Sequence, residues 1–278
     1  MLSDTTFDKL DQLPALSPAT AKLIELANDS RSTAKDLMNI IKTDPVLTGK
    51  ILALINSSFF SLNDRIFSLN RAIILLGFNT IKHIALSTSL FSSIASGSNS
   101  FKLAEVWKHM VAVAIAAKII AKNNEEIAKE AENYFTAGLL HDTGDILLLR
   151  HYPKEYQELC VIAKRDNLTI SKVCQKNFDI TPSEIGAKAT KNWKFPEKFI
   201  EVIEFSRNPK EDCSDMTKAI HIIDKICRTN NFGFCCDRAD IEYAQADLDF
   251  LKIENQDQLD TICAKIEVEL EKASAFIE

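Results

Sequence analysis

Apolar residues along the chain recur at helical spacing, and no stretch shows the strict alternation of a half-buried strand. In "LSPATAKLIELAND" Leu23, Leu26 and Ala27 share one face. Ser17 stands at the cap, and Pro18 takes the first turn, where its missing N–H costs nothing. "RSTAKDLMNIIKT" starts at Ser32 or Thr33 and sets Leu37, Ile40 and Ile41 on one side. "TDPVLTGKILALINSS" repeats the arrangement with Asp44 as cap, Pro45 first in the helix, and Val46, Leu47, Ile51, Leu54 and Ile55 at helical spacing. A short helix in "FSLNRAIILLGF" is closed by Gly77, the residue best able to adopt a left-handed conformation after a helix end.

From Asn79 the apolar "NTIKHIALSTSLF" runs into the Ser/Gly tract Ser92 to Ser100, which reads as the joint between two helical lobes. The second lobe opens with "KLAEVWKHMVAVAIAAKIIAKNN", whose small and branched residues imply burial on most sides. "FTAGLLHDTGDILLLRHYP", "EYQELCVIAKRDN" and "LTISKVCQKNF" follow, and then "TPSEIGAKAT", where Thr181 and Glu184 form a capping box around Pro182. A helix after Pro196, one around "TKAIHIIDKICR" and an amphipathic segment after Gln256 complete the pattern. The expected organisation is an extension over residues 1–10, a helical domain over 11–230 with sub-lobes at about 11–95 and 101–230, and a helical extension over 231–278 packed on the second lobe. In that extension Leu259, Ile262, Ile266, Val268, Leu270 and Phe276 form a stripe that either covers the core in cis or pairs two chains. Covering its own core is the expectation, and the oligomeric state stays open.

Only seven glycines and seven prolines in 278 residues fit an all-α fold with few turns. The formal charge of -6, with Lys and Arg scattered, offers no long-range attraction for phosphate backbones or anionic membranes, so neither nucleic acid nor membrane is an expected partner. No apolar segment reaches the roughly 18 to 20 residues of a membrane span, and Met1 to Asp11 lacks a signal-peptide pattern, so a cytoplasmic location is expected. Seven cysteines lie in the second half without any C-x-x-C pair. They read as small buried residues in a reducing compartment, with Cys235-Cys236 as the candidate reactive pair. In "NSSFFSLNDRIFSLN", Phe59, Phe60 and Phe67 fall in a loop-like region and either plug the core, the commoner outcome, or face another protein.

The residues that carry chemistry are His109 in "VWKHMVAVA", His141 and Asp142 in "LLHDTGD", and Asp224 in "HIIDKIC". Imidazole nitrogen and carboxylate oxygen are ligands for borderline and hard divalent ions. A dyad at a helix end, joined by single ligands from two other helices, can converge on one ion. Each residue also has a structural reading. His109 suits a satisfied core histidine and Asp142 a cap for a helix starting near Gly144. Asp224 needs a partner, which His221 or Lys225 can supply as helix neighbours.

These segments resemble the HDOD (HD-related output domain) family of bacterial signalling proteins. The resemblance rests on "LPALSPATAKLIEL", "IIKTDPVLTGKILALINSSFF" with Asp44, Pro45, Asn56 and Ser57, and "FSLNRAIILLGFNTIKHIALS" with Leu76 and Gly77. It continues through "FTAGLLHDTGDILL" and "AIHIIDKI" and covers roughly residues 10 to 230. It implies an all-α fold related to the HD phosphohydrolases, used as an output module that binds a signalling protein in trans or a small ligand. It also implies that His109, His141, Asp142 and Asp224 are the minimal metal set for a single divalent ion, whether Fe, Mn, Mg or Zn. Related cyclic-dinucleotide phosphodiesterases carry a lysine where this chain has Asp145, and further histidines where it has Pro182 or Ser183 and Ser206-Arg207. A non-catalytic role is therefore the first expectation, and a mononuclear phosphohydrolase acting on a nucleotide or phosphoester the alternative.

Overall fold

A run of small and β-branched residues makes the helix Phe101–Asn123 the axis of the molecule, since Val111 to Ala117 are all buried. The computed structural model describes residues 16–56, 64–95, 101–233, 236 and 241–277, and among them there is no strand. The first lobe comprises α1 (Pro18–Asn28), α2 (Ala34–Ile41), α3 (Pro45–Ile55), α4 (Leu69–Leu76) and α5 (Phe78–Ala95). The second comprises α6 (Phe101–Asn123), α7 (Ala131–Leu140), α8 (Thr143–His151), α9 (Pro153–Asp166), α10 (Ile170–Phe178), α11 (Pro182–Asn192), α12 (Glu197–Phe205), α13 (Asp215–Thr229), α14 (Gln245–Phe250) and α15 (Gln256–Ile277).

The caps read from the sequence form. Ser17 Oγ accepts from the Thr20 amide at 3.1 Å, Asp44 accepts from the Leu47 amide at 2.9 Å, and Thr33 with Asp36 and Thr181 with Glu184 make reciprocal capping boxes. Gly77, at φ +85°, ends α4 and lets α5 begin at once. Asn56 clasps the connection after α3, donating to the carbonyls of Leu52 and Ile66 and accepting from the Ile66 amide at 2.6 Å.

Of the expected joint at Ser92 to Ser100, residues 92–95 form the end of α5. Its serines are used inside the lobe: Lys50 Nζ donates to Ser92 Oγ at 3.0 Å, and Ser93 Oγ lies 2.8 Å from the Thr20 hydroxyl. Residues 96–100 lie outside the described residues, as do residues 1–10, Phe59, Phe60 and Cys235. Phe67 is 78% exposed and so does not plug the core; its ring lies 5.6 Å from the Arg65 guanidinium carbon. The short α14 was not foreseen from sequence, since Ala244 at its start provides no side-chain cap.

One apolar core runs through both lobes, with α5 packed on α7 and α8. α15 covers that core in cis against α6 and α3, burying Leu259, Ile262, Ile266 and Leu270, whereas Val268 stays 46% exposed and the Phe276 side chain lies outside what is described. Cys174, Cys213 and Cys227 are buried thiols as expected. Cys160 on α9 and Cys236 depart from that expectation: their Cα atoms stand 5.0 Å apart and their sulfurs are joined in a disulfide. Sequence spacing conceals this pair because its members are 76 residues apart. Among the described residues no helix is long and apolar enough to cross a membrane.

Two backbone contacts set the geometry of the second lobe. A Cβ on Gly138 of α7 would lie 2.5 Å from Ala114 Cα on α6, so these helices cross at near-backbone contact. Gly144 at the start of α8 meets the Pro182 carbonyl at the start of α11, and a Cβ on Gly186 would lie 2.9 Å from the Gly144 amide nitrogen. Gly138→Ala is expected to destabilise the protein by about 1–3 kcal/mol in urea unfolding. Gly49→Ala, on an exposed stretch of α3 with nothing within 4 Å of the added methyl, is expected to stabilise by about 0.5–1 kcal/mol.

A second buried polar group lies where α5 meets α6, α7 and α12. Lys118 pairs with Glu132 at 2.8 Å, and the His83 ring packs edge-on against Phe199 with centroids 6.0 Å apart. Burial pushes the His83 pKa from 6.5 down to about 3, and Lys82 and Lys198 push in the same direction, so His83 is neutral in the folded chain. Protonation then favours the unfolded chain between these two values. Stability is expected to fall as pH drops below 6.5, with His83 contributing at most about 1.4 kcal/mol per pH unit. Urea unfolding from pH 7 to pH 5 checks this, and His83→Gln is expected to flatten the slope.

Candidate metal centre

The close crossing of α6 and α7 puts His109, five residues before Ala114, beside His141, three residues after Gly138, with ring centroids 5.5 Å apart. His141 is the C-cap of α7, and Asp142 leads directly into α8. α13 brings Asp224 across the same space. All four side chains are buried, with His109 at 1%, His141 at 2%, Asp224 at 5% and Asp142 at 6% exposure.

Each imidazole is oriented by a backbone carbonyl. His141 Nδ1 donates to Gly138 O at 2.7 Å and His109 Nδ1 donates to Phe232 O at 3.0 Å, which turns both Nε2 atoms toward the carboxylates. The second contact depends on Gly233, at φ +83°, since a Cβ there would run into the His109 backbone. His109 Nε2 lies 2.8 Å from Asp224 Oδ1 and 4.0 Å from Asp142 Oδ2. His141 Nε2 lies 3.4 Å from Asp142 Oδ2 and 3.8 Å from Asp224 Oδ1, yet makes no well-formed hydrogen bond.

With both Nδ1 atoms donating, two nitrogen lone pairs and two carboxylate oxygens face one another, and only a cation between them satisfies the set. Without an ion that cation is a proton. Burial alone would lower the His141 pKa, but the Asp142 and Asp224 carboxylates beside it raise it to about 9. Ligands about 2.1 Å from one ion stand roughly 3.0–3.5 Å apart at adjacent positions and up to about 4.2 Å apart when opposite. The 3.4, 3.8 and 4.0 Å separations fit this, the 2.8 Å between His109 Nε2 and Asp224 Oδ1 is a hydrogen-bond distance, and the ligand atoms of His109, His141 and Asp142 all lie within 4.8 Å of one another. His109, His141 and Asp142 therefore form a buried group that could hold a metal ion, with Asp224 hydrogen-bonded to His109 beside it.

The structural readings of these residues resolve differently. Asp142 occupies the cap position of α8 but makes no side-chain capping bond. Asp224 is held by His109 and by Arg228, one turn on at 3.7 Å, whereas His221 donates through Nδ1 to the Ser206 carbonyl at 2.6 Å. Burial works against both carboxylates. The Arg207 and His141 charges nevertheless hold Asp142 well below the usual carboxylate range, and the hydrogen bond from His109, with the nearby His141 and the Arg228 charge, does the same for Asp224.

Arg207, Tyr156 and the two orienting carbonyls escaped the sequence reading. Arg207 had a faint signal in the sequence, where Ser206-Arg207 was read against the histidine expected of the phosphodiesterases. Its guanidinium contacts both Asp142 and Asp145, and the Tyr156 hydroxyl donates to the other oxygen of Asp145.

A family model described as "HDOD domain" matches residues 13–209. The chain belongs to the HDOD family. Asp224, on α13, lies beyond the matched stretch. Among solved structures, an HDOD domain protein with unknown function from Geobacter sulfurreducens superposes with a TM-score of 0.79 at 19% identity, covering 99% of this chain and 98% of its own. A Shewanella amazonensis protein named "Putative phosphohydrolase" does so with a TM-score of 0.78 at 21% identity, covering 100% and 99%. These likenesses establish the shared HDOD fold. A relative from Treponema pallidum (strain Nichols) is 24% identical over 207 residues, 74% of this chain but only 40% of that protein's length.

In this HDOD chain Gly233→Ala forces a methyl into the His109 backbone at a φ that favours glycine. It is expected to destabilise by about 1–3 kcal/mol in urea unfolding and to lower the metal retained after dialysis. Elemental analysis checks the second effect.

Proposed function

We propose that this HDOD protein is a non-catalytic signalling module that binds a protein partner in trans and uses its His109, His141, Asp142, Asp224 centre to hold one divalent ion as a structural element. The observation that carries this reading is the closure of the centre. All four ligands are buried, and the Asp142 oxygen turned away from the histidines is already bonded to Arg207. A phosphoester would need an open ligand position and free cationic groups around the transferred phosphorus. At the position of the phosphodiesterase lysine stands Asp145, whose negative charge opposes phosphate. Exposed apolar residues on the first lobe, Phe67 and Ile74 with Leu75 beside them, support a protein-facing role.

The second reading, a mononuclear phosphohydrolase, draws support from the His141 Nε2 that lacks a hydrogen bond and from the name carried by the Shewanella relative. An ion held there would supply Lewis-acid chemistry at a phosphoryl oxygen. His109 and His141 would present Nε2 to it, with their tautomers fixed by Phe232 and Gly138.

Elemental analysis of the purified chain separates the readings, followed by a phosphomonoester and phosphodiester panel on the wild type and a His141→Ala, Asp142→Ala double variant. The expected result is a bound divalent ion, no turnover above background, and a lower unfolding temperature in the double variant. Turnover that disappears in the double variant overturns the non-catalytic reading. A wild-type chain that retains no ion under any loading condition overturns the ion centre.

A further inference from the structure

The Arg207 guanidinium does more than shield the centre. It follows Ser206, the C-cap of α12, in a turn tied to α13 by the His221 bond to the Ser206 carbonyl. Nε and Nη2 stand 3.2 and 2.8 Å from Asp142 Oδ1, and the same Nη2 stands 2.9 Å from Asp145 Oδ2. One positively charged nitrogen thus sits between two carboxylates that are themselves buried. Asp145 Oδ1 takes the Tyr156 hydroxyl. Asp142 is therefore divided: Oδ2 faces the two Nε2 atoms and Oδ1 faces a cation supplied by the chain.

We propose that Arg207 fills a second cation position, bounded by Asp142 Oδ1 and Asp145 Oδ2, and so confines the centre to one metal ion. The inference rests on reading the His109, His141, Asp142, Asp224 set as an ion site. Two buried carboxylates this close repel unless a positive charge lies between them, and a guanidinium or a divalent ion can each provide it. The Arg207 side chain is 21% exposed, against 8% for Asp142 and 3% for Asp145, so the guanidinium lies on the solvent side of the acids it neutralises. Removing it leaves the pair facing a route from solvent. The ligand class that fits two carboxylate oxygens is a hard divalent cation, Mn²⁺ or Mg²⁺.

The test is the Mn²⁺ stoichiometry of the full chain by calorimetry and by electron paramagnetic resonance, for the wild type, Arg207→Ala, Arg207→Lys and Arg207→Ala combined with Asp145→Asn. The expected result is a single ion in the wild type and in Arg207→Lys, a second in Arg207→Ala, and loss of that second ion when Asp145→Asn is added. If Arg207→Ala binds no more ions than the wild type, the proposal is overturned. A wild type that binds none defeats the ion-site reading instead. The Arg207 proposal then stands if Arg207→Ala gains an ion that survives His141→Ala but not Asp145→Asn, and falls if it gains none. Should Arg207→Ala be unfolded without ions, saturating Mn²⁺ is expected to restore its helical circular dichroism, and a chain that stays unfolded overturns the proposal.

Discussion

The arrangement depends on two hydrogen bonds from imidazole Nδ1 atoms to backbone carbonyls, His141 to Gly138 and His109 to Phe232. Each fixes a tautomer and a ring plane, so that the remaining lone pairs converge where Asp142 and Asp224 already place negative charge. The first bond is local to the end of α7, the second joins segments 123 residues apart, and close backbone approach brings the two rings together. Gly138 allows α7 to press against Ala114, and Gly233 allows the segment after α13 to lie on the backbone of His109. The glycines that look incidental in a helical chain are what bring the histidines into register.

Burying three carboxylates in one region demands compensation, and the chain supplies it from several sides. Arg207 neutralises Asp142 and Asp145, Arg228 lies beside Asp224, and the histidines take up whatever cation is present. Such a centre keeps its charges paired whether it holds a proton or a metal ion. This pairing leaves few cationic groups to meet a phosphoester in its transition state.

The centre is also mechanically linked to the rest of the molecule. α5 carries the first lobe onto α7 and α8, the helices that flank the His141-Asp142 turn. α9 carries Tyr156 to Asp145 and Cys160 to Cys236, so the segment that holds Phe232 against His109 is anchored again a few residues later. The exposed apolar residues Phe67 and Ile74 belong to the lobe that contains α5, whose core is continuous with the one around the centre.

Much of this was legible from local signals. Ser17, Thr33, Asp44 and Thr181 mark helix starts through short-range hydrogen bonds to residues three positions on, and such chemistry is written in consecutive residues. The order His109, His141-Asp142, Asp224 was likewise visible once the family resemblance was recognised, although spacing alone left each residue a structural role. Ser92 and Ser93, at the start of the tract read as the joint, bond to Lys50 and Thr20 on other helices, contacts that composition does not announce. Arg207 on Asp142, Phe232 on His109 and Cys160 on Cys236 span 65, 123 and 76 residues, distances over which sequence patterns carry no orientation. The sequence by itself determined every helix but the short α14, the caps and the types of ligand available. Only the tertiary structure decided which lone pairs face each other and which cation answers each carboxylate, because those depend on helix crossings set by backbone contacts at single glycines.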